Sequence, residues 1–127
     1  MNATHTGIEI ATRGPARVLI SAHAYERARE RLHWSRTTVA RMALRALMDG
    51  STADRAGGVI GRLLEGIAYP GSDCCPVLHG EFVYIFGCDE HRVTWTLLTL
   101  YRAPSEILRL VVKRSVHRAF EHSFGEN

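Results

Sequence analysis

Apolar residues recur at every third or fourth position in the first half of the chain and at every second position in much of the second half. The longer period predicts two amphipathic helices, at about 22–32 and 36–48, because residues three or four apart share one helix face. Ser21 and Ser35 stand directly before them, where a side-chain oxygen can cap the free backbone N–H groups. A short β-prone run, 17–20, precedes the first helix, so this half predicts a strand followed by a helix pair.

The period changes to two after the turn-forming residues 69–72. A strand is predicted at 81–86, with Phe82, Tyr84 and Phe86 on one face and Val83 and Ile85 on the other. Since both faces are apolar, this strand should lie inside a sheet. The longest strand is predicted at 93–101, and its alternation places five residues on one face: Val93, Trp95, Leu97, Thr99 and Tyr101.

The remaining segments complete an α+β domain. We predict a loop at 50–58, a short helix at 59–67 in preference to a strand, and a final helix at about 106–122. The expected fold has two N-terminal helices packed on a small, mostly antiparallel sheet of three or four strands, with an added C-terminal helix. Residues 1–15 are expected to form a flexible N-terminal arm, and 16–127 a single domain.

Composition supports one self-sufficient domain and excludes several protein classes. The chain has 127 residues, 46% of them hydrophobic, which is enough to bury a core without metal or disulfides. It has no apolar run long enough for a membrane span and no signal-peptide pattern, so we expect a cytoplasmic protein. Its three cysteines do not form a convincing disulfide framework.

The positive charge is carried almost entirely by arginine. The net charge is +3, and Lys113 is the only lysine among sixteen basic residues. Arginine binds phosphate through two parallel hydrogen bonds, so a phosphate-bearing partner is slightly favoured. A GC-rich genome gives the same arginine bias without selection for binding, and both explanations stay open.

Two groups of residues have side chains suited to cleaving RNA without a metal or cofactor. One group is on the first helix: His23, Arg27, Glu30 and Arg31. The other lies near the sheet: His79, Tyr84, Thr99, Tyr101 and Arg102. Such a reaction needs a base, a cation for the charged phosphorane and an acid, which His, Arg and Tyr can supply. The alternatives are a solvated helix face and tyrosines that only complete the core.

Two further interpretations involve other partners. Zinc could be held by four residues around one hairpin, Cys75, His79, Cys88 and His91, although inert thiols are the more common outcome. The helix pair could instead bind DNA as a ribbon-helix-helix or helix-turn-helix unit, with Arg36, Arg41 and Arg45 as contacts. In a ribbon, Leu19 and Ser21 would be poor base readers, which disfavours that version.

Several motifs resemble those of small proteins from phages and other mobile elements. These are AHAYERARERLHWS, GRLLEGIAY, HGEFVYIF and LLTLYRAP, which together lie within 17–104. The order of the corresponding elements, two helices followed by an antiparallel sheet, is similar to the RelE-like fold of metal-independent endoribonucleases in toxin–antitoxin pairs. The resemblance implies a toxin or an inactive relative that acts on RNA.

The resemblance also assigns candidate residues and partners. It implies a catalytic site formed by His23, Arg27 and Arg31 with Tyr101 and Arg102. The partners would be RNA or an antitoxin or host protein, with no membrane, and a homodimer could form through the C-terminal helix. The alternative is a non-catalytic, anti-defence inhibitor that binds a host protein.

Overall fold

A computed structural model describes residues 10–11, 17–67, 74–88 and 93–113. The elements in chain order are β1 (Ile10–Ala11), β2 (Arg17–Ile20), α1 (Ala22–Leu32), α2 (Arg36–Asp49), α3 (Ala53–Ala56), α4 (Gly58–Ile67), β3 (Cys74–His79), β4 (Phe82–Cys88), β5 (Thr94–Arg102) and α5 (105–113). The domain is therefore α+β, with four helices between the second and third strands.

The five strands form one mixed sheet in the order β1-β2-β5-β4-β3. The β2–β5 pairing is parallel, and the other three pairings are antiparallel. The short β1 adds an edge strand to the three or four that were expected. All four helices between β2 and β3 belong to one long connection between two strands of the sheet. Within it, α1 and α2 pack on one face of the sheet, and α4 packs on the other.

The α1/α2 face is the side of the sheet on which α1 and α2 pack. Its buried core includes Val18, Ile20, Tyr84, Phe86, Leu97 and Leu100 from the strands, with Ala24, Tyr25, Ala28, Val39, Ala43 and Ala46 from the helices. The α4/α5 face is the opposite side, with a smaller core of Ile60, Leu64, Leu78, Val83, Ala103 and Ile107. The predicted division of the β4 side chains between two apolar faces is confirmed.

A bulge in β5 changes which face its side chains occupy. Phe86 pairs with Leu97, but Ile85 pairs with Thr99, so Leu98 is an extra residue on β5. The alternation therefore shifts, and Leu100 instead of Thr99 follows Leu97 on the α1/α2 face. The prediction that Thr99 and Tyr101 share a face with Leu97 was wrong because sequence alternation contains no sign of the extra residue.

Ser21 connects this bulge to the start of α1. Its hydroxyl donates to the carbonyl oxygen of Leu98 at 3.1 Å and accepts from the N–H of Ala24 at the same distance. The capping role predicted for Ser21 is confirmed. The same side chain fixes the end of β2 to the point where β5 changes register.

The other predicted helices are mostly found where expected. The second helix extends one residue past the predicted end, to Asp49, and the helix predicted at 59–67 is α4. The expected loop contains one helical turn, α3. The final helix begins at 105, and its predicted continuation to 122 lies outside the described residues.

Two further expectations concern the ends of the domain and the membrane. Most of the predicted arm, 1–9 and 12–15, lies outside the described residues. Within the described part of the chain, no helix has the length and apolar character needed to cross a bilayer.

Candidate functional site

A cavity lies beside the turn that joins α1 to α2. We call it the elbow pocket. It has a volume of about 560 Å³ and is lined by Ala22, Tyr25, Glu26, Arg29, His33, Trp34, Ser35 and Arg36. Its lining therefore combines two arginines, one carboxylate, one imidazole and two aromatic rings.

The local sequence explains why these residues meet. Positions 22, 26, 29 and 33 follow one ridge of α1, because they are spaced by about one helical turn. The chain then reverses at His33, which has φ 57° and a left-handed conformation. The N–H groups of His33 and Trp34 donate to Arg29 and Ala28 oxygens at 3.2 and 3.3 Å, which closes the helix end.

Arg36 is held in place by Tyr25. Its guanidinium carbon lies 5.0 Å from the centre of the Tyr25 ring, a distance typical of a cation–π contact. Tyr25 itself is anchored in the α1/α2 core and is only 7% exposed. Because Arg36 also lines the pocket, its guanidinium can contact a ligand bound there.

The electrostatics of the elbow pocket favour an anion. Its lining carries two positive charges, on Arg29 and Arg36, and one negative charge, on Glu26. The pocket also adjoins the N-terminus of α2, where Ser35 accepts from the N–H of Thr38 at 3.2 Å. The positive end of the α2 dipole meets the negative end of the α1 dipole at this turn, so the favourable charge comes from the arginines.

Trp34 links the pocket to the sheet. Its ring meets the ring of Phe82 edge-on, with centroids 4.9 Å apart. Phe82 is the cross-strand partner of Arg102, whose guanidinium lies 3.6 Å from the Glu81 carboxylate. Both members of this ion pair are exposed to solvent, so the contact contributes little to stability.

No protein-family model, curated protein or solved structure matches the chain. Its function must therefore be inferred from its own residues and geometry.

The helix residues predicted as catalytic lie on the other flank of α1. His23, Arg27 and Arg31 follow a ridge roughly 130° around the helix axis from the one that lines the pocket, at 100° per residue. The Nε2 atom of His23 accepts a hydrogen bond from Nε of Arg27 at 3.4 Å. This contact joins His23 to its own helix.

The expected joint site of His23 with Tyr101 is not formed. Tyr101 pairs with Val83 and packs against the core of the α4/α5 face, whereas α1 covers the opposite face. The bulge at Leu98 is the physical reason, because it turns Tyr101 away from α1. Arg102, the next residue, points back toward the α1/α2 face and shares it with Phe82.

Of the remaining predicted sheet residues, Tyr84 belongs to the core, and His79 and Thr99 are half-buried. Tyr84 is fully buried, and its hydroxyl has no hydrogen-bond partner among the described residues. Burial raises the pKa of Tyr84 from 10.0 to about 12, which keeps the phenol protonated. His79 lies nearby, with ring centroids 6.5 Å apart, and its Nδ1 is buried without a partner among the same residues.

The described residues do not assemble the predicted zinc ligands. Cys75 and His79 are four positions apart on β3, roughly 13 Å at about 3.3 Å per residue, which is too far for one ion. No group of three or more His, Cys, Asp or Glu in the described ranges is arranged to hold a metal. His91 lies outside those ranges.

The two DNA-binding alternatives, ribbon-helix-helix and helix-turn-helix, differ in whether the structure leaves their contact residues accessible. Arg41 and Arg45 are exposed on α2, but β2 is hydrogen-bonded on both sides, and Val18 and Ile20 are fully buried. A strand in this position cannot enter a groove as a ribbon. The exposed arginines of α2 remain available to a nucleic acid.

Sequence reasoning missed Arg29, His33 and Trp34 as functional candidates. His33 and Trp34 lie in the gap between the helices predicted at 22–32 and 36–48, where sequence spacing assigns no role. The available signal was the sequence HWSR, a histidine, an aromatic ring and an arginine at a capped helix start. Among the described non-glycine residues, His33 alone has a positive φ, a feature that also occurs at functional sites.

Proposed function

We propose that this protein binds single-stranded RNA in the elbow pocket, as a cytoplasmic RelE-like toxin or an inactive relative of one. The observation that carries the proposal is the cation–π contact of Arg36 with Tyr25, beside Arg29, His33 and Trp34 in one cavity. Sequence-specific and general RNA binders both use aromatic rings and arginine planes to stack unpaired bases.

The held position of Arg36 supports binding of a base. A free arginine loses side-chain entropy when it stacks, but one already resting on a buried tyrosine loses less. An unstacked base can contact this guanidinium in the elbow pocket. A duplex presents no free base to such a pocket, so single strands are favoured.

The charge distribution supports binding of the backbone. Along α1 and α2, six arginines stand against three acidic residues. Along α3, α4 and α5, four basic residues stand against three acidic ones. The phosphates of a strand entering the elbow pocket would therefore meet the more positive side of the domain.

Cleavage at the same pocket would need a base and an acid in addition to the arginines. We assign these roles to Glu26 and His33, which line the pocket on either side of Arg29. Glu26 would accept the proton of the 2′-hydroxyl, His33 would protonate the leaving 5′-oxygen, and a cyclic phosphate would form. Arg29 and Arg36 would stabilise the charge that develops on the phosphorane.

Binding is tested by fluorescence anisotropy with a labelled single-stranded RNA. We expect Arg29→Gln with Arg36→Gln to weaken binding at least about tenfold, because a stacked base alone contributes roughly 1–3 kcal/mol. The matched control is Arg62→Gln with Arg109→Gln, which removes two exposed arginines from the other side of the sheet. An equal loss in both double variants would contradict the assignment to the elbow pocket.

Three other outcomes would redirect the proposal. Equal affinity for duplex DNA would favour the helix-turn-helix alternative. RNA binding without cyclic-phosphate products would identify an inactive relative. If cleavage occurs and His33→Gln leaves its rate unchanged, the acid assigned here is wrong.

A further inference from the structure

We infer that Arg102 forms a second phosphate subsite, so that bound RNA leaves the elbow pocket across Trp34 and Phe82. This inference rests on the proposed function and extends it. It assigns a strand of several nucleotides as the ligand class, in place of a mononucleotide. It also defines the path that the strand follows across the domain, from the elbow pocket to Arg102.

The geometry places Arg102 next to the pocket through two shared contacts. Trp34 lines the pocket, and its ring centroid lies 4.9 Å from that of Phe82. Phe82 and Arg102 are direct cross-strand partners, so their side chains leave the sheet on the same face, roughly 5 Å apart at Cβ. The contacting rings of Trp34 and Phe82 therefore connect the pocket arginines to Arg102.

The accessibility of Arg102 fits a role in binding. Its side chain is 64% exposed, and its ion-pair partner, Glu81, is 61% exposed. The 3.6 Å contact is a weak surface pair that a phosphate can replace without exposing a buried charge. Glu81 thus competes with the RNA backbone for Arg102.

Two RNA lengths separate this subsite from the pocket itself. Uridine monophosphate and tetra-uridylate are titrated against the wild-type protein by isothermal calorimetry at several salt concentrations. We expect Arg102→Gln to weaken binding of the tetranucleotide about threefold to tenfold and to leave mononucleotide binding unchanged. The salt slope for the tetranucleotide should fall by about 0.7, the value for one lost contact to a single strand.

Glu81→Gln should change tetranucleotide affinity in the direction opposite to Arg102→Gln. Removing the competing carboxylate should strengthen tetranucleotide binding about twofold to fivefold, with no change for the mononucleotide. Arg109→Gln is the control, since Arg109 is an exposed arginine on α5. Equal effects of Arg102→Gln and Arg109→Gln would overturn the subsite.

The outcomes also distinguish this inference from the proposed function. If the wild-type protein binds neither ligand, RNA binding itself is wrong. If the protein binds RNA through Arg29 and Arg36 but tetranucleotide affinity is insensitive to Arg102 and Glu81, only the second subsite is wrong.

Discussion

The two faces of the sheet differ in the residue types of their cores and in the charge of the helices that cover them. The core of the α4/α5 face consists of six aliphatic residues, and the helices over it are nearly balanced in charge. The α1/α2 face has a larger core that contains aromatic rings, and its helices carry an excess of arginine. The α1/α2 face also holds a buried hydroxyl and imidazole nitrogen that have no partner among the described residues.

This difference separates stability from recognition within one small domain. An aliphatic core excludes water and needs no polar partners, so the α4/α5 face can serve as the support. The α1/α2 face combines ring stacking, an arginine surface and an imperfectly satisfied polar core. Proteins tend to accept such local imperfections at sites that bind or react.

The largest expected difference between the faces is in how the free energy of unfolding responds when Gly50 or Gly66 is replaced by alanine. A Cβ at Gly50 would collide with the backbone oxygen of Ala46 and with Val77, whereas one at Gly66 would meet nothing within 4 Å. Gly50→Ala should lower the free energy of unfolding by about 2–3 kcal/mol, since neither α2 nor β3 can move freely. Gly66→Ala should raise it by up to about 1 kcal/mol. Urea denaturation of both variants checks the pair, and equal effects would contradict the tight approach of α2 to β3.

A smaller difference is expected between two helix caps. Ser21 both caps α1 and donates to Leu98 from a buried position, while Thr52 caps α3 at the surface. Ser21→Ala should cost about 1–2 kcal/mol of unfolding free energy, because it removes the partner of a buried N–H and of a partly buried carbonyl. Thr52→Ala should cost about 0.5 kcal/mol. A Ser21→Ala variant as stable as Thr52→Ala in thermal denaturation would show that the bulge does not depend on this hydroxyl.

The expected effect at Tyr84 has the opposite sign at neutral pH. Tyr84→Phe removes a buried hydroxyl without a partner in the described structure, so it should stabilise the fold by about 1 kcal/mol.

The same variant has a distinct pH dependence. Because the pKa of Tyr84 is raised to about 12 in the folded protein, the unfolded chain loses this proton first. The wild-type protein should therefore keep its full stability from this group below pH 10 and lose it as the pH rises to about 12. The difference in unfolding free energy between wild type and Tyr84→Phe should grow across that range. A difference that stays constant to pH 12 would show that the phenol is not desolvated.

The sequence predicted local structure well where one short-range rule decides it. Ser21 and Ser35 mark helix starts because their oxygens bind nearby N–H groups, and both caps are present. The two faces of β4 follow from strict alternation. The parallel β2–β5 pairing was not predicted, since pairing between distant segments leaves no local signature.

The joint site predicted for α1 and Tyr101 is not formed because of a single extra residue on β5. The expected set joined α1 to Tyr101, and the bulge at Leu98 placed Tyr101 on the other face. Arg36 was predicted as a nucleic-acid contact, but its cation–π contact with Tyr25 is a tertiary feature that spacing alone does not reveal.

The most direct test uses the two tryptophans of the chain, Trp34 in the elbow pocket and Trp95 in a separate small cavity. Trp95→Phe leaves Trp34 as the fluorophore, and Trp34→Phe leaves Trp95. Single-stranded RNA should quench the emission of Trp34 in parallel with the anisotropy change, and it should leave the emission of Trp95 unchanged. RNA binding by anisotropy without any change in Trp34 emission would contradict the elbow pocket as the binding site.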